Sequence, residues 1–228
     1  MRVLLLGHGR MGALVESLAP SYGATIAAVI DERSGERAIA DGAFGDVDVA
    51  IDFTLADAVP KNLPQLAARK INVVIGTTGW QAHEPAMHAI ASDAGIGVLA
   101  ASNFSLGMNI FQLAVEEASR HFANHPEFGA WIHEAHHVMK KDAPSGTAVT
   151  IKTGMERAGF ARHIDVSSTR AGHVPGTHTV GFDGPSETIE LTHTVRDRAV
   201  FARGALVAAQ WLVGKRGWFS LRDMLGGA

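Results

Sequence analysis

Apolar positions in the first hundred residues fall into short unbroken runs, and each run stops at a small or polar turn. Arg2 to Leu6 is such a run, followed by a helical spacing through Leu18; Ala24 to Ile30 is the next. Val47 to Phe53, Asn72 to Ile75 and Gly97 to Ala101 repeat the pattern. Between them lie helical spacings at Leu55 to Lys70, interrupted by Pro60 and Pro64, and at Glu84 to Ala94. Continuous apolar runs of this length read as strands buried on both faces, and their alternation with helices predicts a parallel sheet with right-handed crossovers. The expected class is α/β, a Rossmann-type doubly wound parallel sheet.

The rhythm changes after an amphipathic helix expected over Leu106 to Phe122, which carries Ile110, Leu113, Ala114 and Ala118 on one side. Beyond the Asn124-His125-Pro126 break, strand-like segments dominate: Phe128 to Glu134, Ile164 to Thr169, Thr177 to Phe182, Glu187 to His193 and Ala199 to Ala202. One long helix, Gly146 to Ala158, intervenes, and Gly204 to Val213 is helical again. This predicts a second α+β domain with an open mixed or antiparallel sheet, one face of which is left for a subunit interface. The expected organisation is residues 1–105 as a dinucleotide-binding domain, 106–202 as a substrate-binding and oligomerisation domain, and 203–228 as a return to the first domain. Trp211, Trp218 and Phe219 are expected to pack in the core.

A chain of 228 residues, 46% hydrophobic and 19% charged, with a net charge of −3, reads as an ordinary globular protein. That balance argues against a general nucleic-acid binder or a membrane-surface protein, and no apolar run approaches the ~20 residues of a membrane span. Cysteine is absent, which removes disulfides and thiolate metal sites. The run Val3-Leu4-Leu5-Leu6 ends at Gly7, too soon for a secretion signal, so a cytoplasmic location is expected.

The first strand runs directly into Gly7-His8-Gly9-Arg10-Met11-Gly12 and then a helix, the setting a dinucleotide-binding turn requires. Gly7 permits the tight turn, Gly9 the approach of a pyrophosphate, and Gly12 close packing of helix on strand. Asp31 stands at the end of the second strand, where an acid hydrogen-bonds the adenosine ribose. Its charge favours NADH, because a 2′-phosphate beside a carboxylate is repelled; Arg33 could instead neutralise that phosphate, so NADPH stays open. Phe53-Thr54, Gly76-Thr77-Thr78 and Ala101-Ser102-Asn103-Phe104 fall at the carboxyl ends of later strands. Ligands lie across such ends in open parallel sheets. These residues are assigned to the nicotinamide and its ribose, although turn composition alone would explain them as well.

The densest chemistry lies in residues 131–148, which hold His133, Glu134, His136, His137, Lys140, Lys141 and Asp142. The turn Asp142-Ala143-Pro144-Ser145-Gly146 follows and opens a helix, whose free N–H groups can bind a carboxylate. A solvated, charged hairpin is the alternative. Strand alternation puts His133 on the opposite side from Glu134.

Taken together, these segments resemble the 4-hydroxy-tetrahydrodipicolinate reductase (dihydrodipicolinate reductase) family of the lysine and diaminopimelate pathway. The resemblance is carried by the glycine turn, Ile51-Asp52-Phe53-Thr54, Gly76-Thr77-Thr78-Gly79, Asn103-Phe104-Ser105-Leu106-Gly107, Glu134-Ala135-His136-His137, Lys140 and Asp142-Ala143-Pro144-Ser145-Gly146-Thr147-Ala148. It implies a nicotinamide-dependent reduction of a cyclic imine bearing two carboxylates, in a homotetramer assembled through the second sheet. It implies His136 as general acid or base and Lys140 as proton donor and substrate contact. His137 would bind one substrate carboxylate, and the N–H groups of Gly146 and Thr147 would cradle the other. Asp142 is expected to fix the loop, and Arg170 to serve as an anion contact or a turn residue.

Two features depart from the family pattern. The segment between Asp31 and Val47 is short, and Val138 and Met139 stand where many members carry Arg and His, which puts substrate affinity in question. Other readings are an aspartate-dehydrogenase-like enzyme, a dinucleotide sensor without catalysis, and a divalent metal site at His133, His136 and His137. No metal is expected, because adjacent histidines lack a carboxylate at ligand spacing.

Overall fold

A computed structural model describes residues 1–35 and 37–226, so the last two residues of the expected C-terminal return lie outside the described residues. The chain forms two compact units, one of Met1–Leu106 together with the segment that begins at Ala199, the other Gly107–Arg198.

In the first unit the strands are β1 (Arg2–Leu6), β2 (Thr25–Ile30), β3 (Val49–Asp52), β4 (Asn72–Ile75), β5 (Gly97–Ala100) and β10 (Gly217–Phe219). Its helices are α1 (Arg10–Leu18), the short α2 (Ala38–Asp41), α3 (Val59–Ala68), α4 (Glu84–Ala94), α7 (Ala199–Leu212) and α8 (Leu221–Met224). The six strands run in the order β10-β5-β4-β3-β1-β2, and each recorded pairing is parallel. Alternation along β1 explains why the runs are continuously apolar. Val3 and Leu5 enter a core with α1 and α7, while Leu4 and Leu6 enter another with α3 and α4. Burying such a side chain contributes roughly 1.5–3 kcal/mol at most.

The second unit contains α5 (Leu106–Phe122), which begins one residue before the unit boundary, together with β6 (Gly129–His136), α6 (Gly146–Arg157), β7 (Ile164–Arg170), β8 (Thr177–Asp183) and β9 (Thr188–Thr194). Its sheet has the order β7-β6-β8-β9, parallel between β6 and β7 and antiparallel elsewhere, so it is mixed. One face is apolar where Ala130, Ile132, Ile164, Val180 and Phe182 meet Met108, Phe111, Ile151 and Met155 of the helical layer and Phe160 of the loop after α6. On the opposite face Trp131 lies over Gly181, its cross-strand partner. Thr179 and Thr192 pair through their hydroxyls on that face as well.

The expected strand at Ala199 to Ala202 is instead the first turn of α7. A four-residue apolar run suits a buried strand and a buried helix equally. Here Ala202, Ala205, Leu206, Ala209 and Leu212 continue it as one helical stripe, fully buried. Trp218 and Phe219 pack as expected, against Trp80 and Trp211 respectively, but they do so from β10, a strand too short to announce itself.

Small residues let α7 sit directly on the loop after β5. A methyl group on Gly204 would stand 1.7 Å from the Phe104 carbonyl oxygen. Gly204→Ala therefore forces the helix away from that loop and destabilises the fold by about 1–3 kcal/mol, the usual range for overpacking. Urea unfolding measures this, and an unchanged midpoint would contradict the packing.

Candidate active site

The helix-covered face of the second sheet changes character along its length. At one end Ile164, Ala130, Phe182 and Ile189 lie in a row of apolar partners. At the other, Ser168, Glu134, His178 and His193 are partners in register across β7, β6, β8 and β9. Arg170 pairs with His136 one step further on. The period of two that buries Ile132 also aims Glu134 and His136 to the same side, and it sends His133 to the other face, where it meets Ser167.

Glu134 is fully buried, with no exposed surface. Its Oε1 accepts from Arg170 Nη2 at 2.7 Å and from the Ser145 amide at 3.2 Å. Its Oε2 accepts from Arg170 Nη1 at 2.9 Å and from His136 Nδ1. Burial alone pushes the carboxyl up. The Arg170 fork, the Ser168 hydroxyl, the His136 ring and the Ser145 amide outweigh it and hold the group at about 2. Glu134 is thus a carboxylate that orients a histidine.

At His136 burial is the largest influence and lowers proton affinity; Glu134 opposes it, while Lys140 and Arg170 reinforce it, and the net position is below 6.5. A neutral ring that donates from Nδ1 to Glu134 leaves Nε2 as a bare acceptor. Gly176 faces that nitrogen, and a side chain there would come within 3.2 Å of it. His178 stands edge-on to His136, with ring centroids 5.2 Å apart, and its Nε2 meets Ser145 Oγ at 3.1 Å. Its Nδ1 has no hydrogen-bond partner among the described residues, and burial pushes the ring down to about 4.

Ser145 joins this row to α6. Its hydroxyl caps the helix by accepting from the Ala148 amide at 3.2 Å. Gly146 lies exposed at the first helical position, with open space around the point where a Cβ would stand. The Thr147 amide has no acceptor among the described residues. In the loop before the helix, Lys140 Nζ donates to Asp142 Oδ1 at 2.8 Å and Oδ2 at 2.9 Å. The Gly146 amide also donates to Asp142 Oδ2, at 3.2 Å. Arg170 fastens the same loop, donating to the Lys140 carbonyl at 3.2 Å and to the Asp142 carbonyl. His137 is half-buried and its carbonyl closes the turn by accepting from the Lys140 amide. Exposed Val138 and Met139 form the tip of that turn.

The first unit carries the expected dinucleotide turn. Gly7 has φ +84°, and a side chain on Gly12 would stand 2.1 Å from the Gly7 carbonyl oxygen. A Cβ on Gly9 would meet nothing within 4 Å, and Gly9 opens α1 without a side-chain cap. These residues fit a pyrophosphate at the helix start. His8 and Arg10 are exposed beside it, His8 paired with Glu16 at 2.7 Å, while Met11 packs inward. Asp31 Oδ1 accepts from the Arg33 amide at 2.9 Å and from Ser34 Oγ at 3.3 Å. Buried Asp52 ties the next two strand ends together, accepting from Thr54 and Asn62 and, at 3.1 Å, from Thr77 Oγ1. Gly76 lies against the Phe53 ring, and Thr78 and Ser102 are exposed. Ala101 is half-buried, Asn103 accepts from the Ser105 amide at 2.9 Å, and the Phe104 ring is buried edge-on to Phe53.

Residues 1–104 match the family described as dihydrodipicolinate reductase, N-terminus, and residues 107–225 match its C-terminus. The chain belongs to the dihydrodipicolinate reductase family. A 4-hydroxy-tetrahydrodipicolinate reductase of Christiangramia forsetii is 34% identical, with 99% of this chain and 98% of that protein covered. One of Stenotrophomonas maltophilia (strain K279a) is 39% identical at the same coverage, 99% and 98%. Among solved structures, a dipicolinate-bound dihydrodipicolinate reductase from Paenisporosarcina sp. TG-14 superposes with a TM-score of 0.81. It is 20% identical, and 96% of this chain and 97% of that chain are covered. Membership makes the chain an oxidoreductase that uses a nicotinamide dinucleotide, a 4-hydroxy-tetrahydrodipicolinate reductase of lysine biosynthesis. Among the described residues no helix is long and apolar enough to cross a membrane.

Sequence reasoning singled out His136, Lys140 and Gly146 and read Ser145 as a helix opener, but gave no role to Glu134, His178 or His193, and left Arg170 between two roles. Parity was the available signal for Glu134, two positions from His136 on one strand; His178 and His193 needed the strand register. Of the ligands weighed for a metal, His133 faces away. Glu134, His136 and His178 bring ligand atoms within 4.8 Å of one another, but both oxygens of Glu134 already serve Arg170.

These ionisations predict two separate acid losses of stability. His178 is held below its ordinary 6.5, so its contribution is complete above pH 6.5 and disappears as the pH falls towards 4. That contribution is about 3 kcal/mol. Glu134, held below its ordinary 4.5, loses its contribution between 4.5 and about 2. In denaturant titrations across pH, His178→Phe lessens the slope in the upper window, where His136 and His193 also titrate, and leaves the lower one. Equal slopes in variant and wild type would contradict the assignment.

Proposed function

We propose that the chain binds its substrate at the start of α6. In this reading it reduces 4-hydroxy-tetrahydrodipicolinate, by way of dihydrodipicolinate, to tetrahydrodipicolinate. The observation that carries this placement is that the Lys140 ammonium, whose charge also acts on His136, and the Gly146 amide already converge on a carboxylate, that of Asp142. The names of the relatives, and the dipicolinate bound in the Paenisporosarcina protein, support a planar dicarboxylate as the occupant.

The dinucleotide, when bound, supplies the hydride. Lys140 offers a proton and a positive charge to the substrate as negative charge develops. His136 accepts or returns a proton at Nε2, and Glu134 stabilises the cationic ring whenever it forms. His137 holds one carboxylate, and the amides of Gly146 and Thr147 take the other.

Asp31 is assigned to the adenosine ribose. Its Oδ1 already braces its own turn, and its charge favours NADH over NADPH, with exposed Arg33 as the group that would admit a 2′-phosphate. The polar face of the second sheet, opposite α5 and α6, is assigned to contacts with further copies of the chain in a homotetramer. The location proposed is cytoplasmic.

The test is the loss of reduced-cofactor absorbance with freshly generated substrate. Wild type turns over, whereas His136→Ala and Lys140→Ala each lose about 10²–10⁴-fold in turnover with cofactor binding retained. Asp31→Ala weakens NADH more than NADPH in the same assay. Near-wild-type turnover in both the His136 and Lys140 variants would refute the site.

A further inference from the structure

Asp142 was expected only to brace its loop, yet its carboxylate holds two of the donors assigned above to the substrate, the Lys140 ammonium and the Gly146 amide. Lys140 Nζ reaches both of its oxygens, at 2.8 and 2.9 Å, and the Gly146 amide reaches Oδ2 at 3.2 Å. We infer that Asp142 is an internal stand-in for the substrate carboxylate, a specificity-determining residue that the incoming dicarboxylate must displace from Lys140 and from the start of α6. This inference rests on the placement of the substrate proposed above.

The surrounding structure lets that displacement involve one side chain alone. The backbone on which Asp142 sits is fastened from the opposite side: Arg170 donates to the carbonyls of Lys140 and Asp142 while its fork holds Glu134. The Asp142 side chain is itself 54% exposed, against 24% for Lys140, so it can swing into water without moving the loop. Ser145, not Asp142, provides the helix cap, through its hydroxyl and the Ala148 amide. Removing the Asp142 carboxylate therefore leaves α6 capped and the loop pinned.

Three consequences follow from the physical chemistry. An ammonium that is already paired does not attract monoanions strongly, so a ligand must offer enough charge to replace the internal carboxylate. A dicarboxylate that also engages His137 does so, whereas a monocarboxylate gains little. Release is assisted in turn, because Asp142 returns to Lys140 as a dicarboxylate product leaves.

The experiment is calorimetric titration of pyridine-2,6-dicarboxylate and of pyridine-2-carboxylate into the full-length protein with reduced cofactor present. Variants are Asp142→Asn, which keeps an acceptor for Gly146 but removes the charge, and Asp142→Ala, which removes both. Each is expected to bind the dicarboxylate about two- to five-fold more tightly, the scale of an exposed ion pair, and to bind the monocarboxylate more tightly by at least as much. The gain is expected to vanish when Lys140→Met is added, since the competition runs through that ammonium. Melting temperatures stay near wild type. Unchanged or weaker binding in both Asp142 variants, with a wild type that does bind, would overturn the stand-in while leaving the proposed substrate site intact. A wild type that binds no dicarboxylate would overturn that placement, and the stand-in with it.

Discussion

A carboxylate with no access to water is the constraint on which the second unit depends. Glu134 is tolerated at the centre of a sheet face because donors from four residues meet it: Arg170 and Ser168 of β7, His136 two residues along its own strand, and the Ser145 amide at the start of α6. Removing one partner from such a buried ion pair costs about 3–5 kcal/mol, since the remaining charge has nothing to replace it. The same set of bonds fixes the strand register, the entry of α6 and the tautomer of His136. Stability and chemistry are therefore carried by one group of contacts, and neither can be altered without the other.

The first unit solves a different problem, which is to bring backbone close to a ligand. Gly7, Gly12, Gly76 and Gly204 each occupy a place where a methyl group would strike backbone or a ring. Buried Asp52 then holds the loops after β3 and β4 together through Thr54, Asn62 and Thr77. Polar groups that sequence alone would offer to a cofactor, such as the Thr77 hydroxyl, are engaged in shaping the loop. What remains presented at these strand ends is largely backbone and small residues, which suits recognition of a dinucleotide by shape.

Much of this was legible without coordinates, for identifiable reasons. The parallel sheet showed itself because strands buried on both faces are continuously apolar, and the helices at Glu84–Ala94 and Leu106–Phe122 because their spacing was long and regular. The glycine turn was legible because sterics leave few other residues for it. Ala199 to Ala202 misled because four apolar residues carry no period. The row Ser168-Glu134-His178-His193, buried at Glu134 and His178, was hidden because its members are brought together only by the register of four strands far apart in the chain. The bond of Asp142 to Lys140 and Gly146 depends on the path of one loop, which composition does not specify.

The orientation of His136 by ionised Glu134 is the claim on which the account of the site turns, and the imidazole nitrogens report on it directly. In ligand-free protein labelled with ¹⁵N-histidine, with the signals assigned by comparison with a His136 variant, the ring at neutral pH should be uncharged. It should be protonated at Nδ1, bare at Nε2, and should titrate below 6.5. A ring that carries its proton on Nε2, or one that is already an imidazolium at neutral pH, would contradict the account.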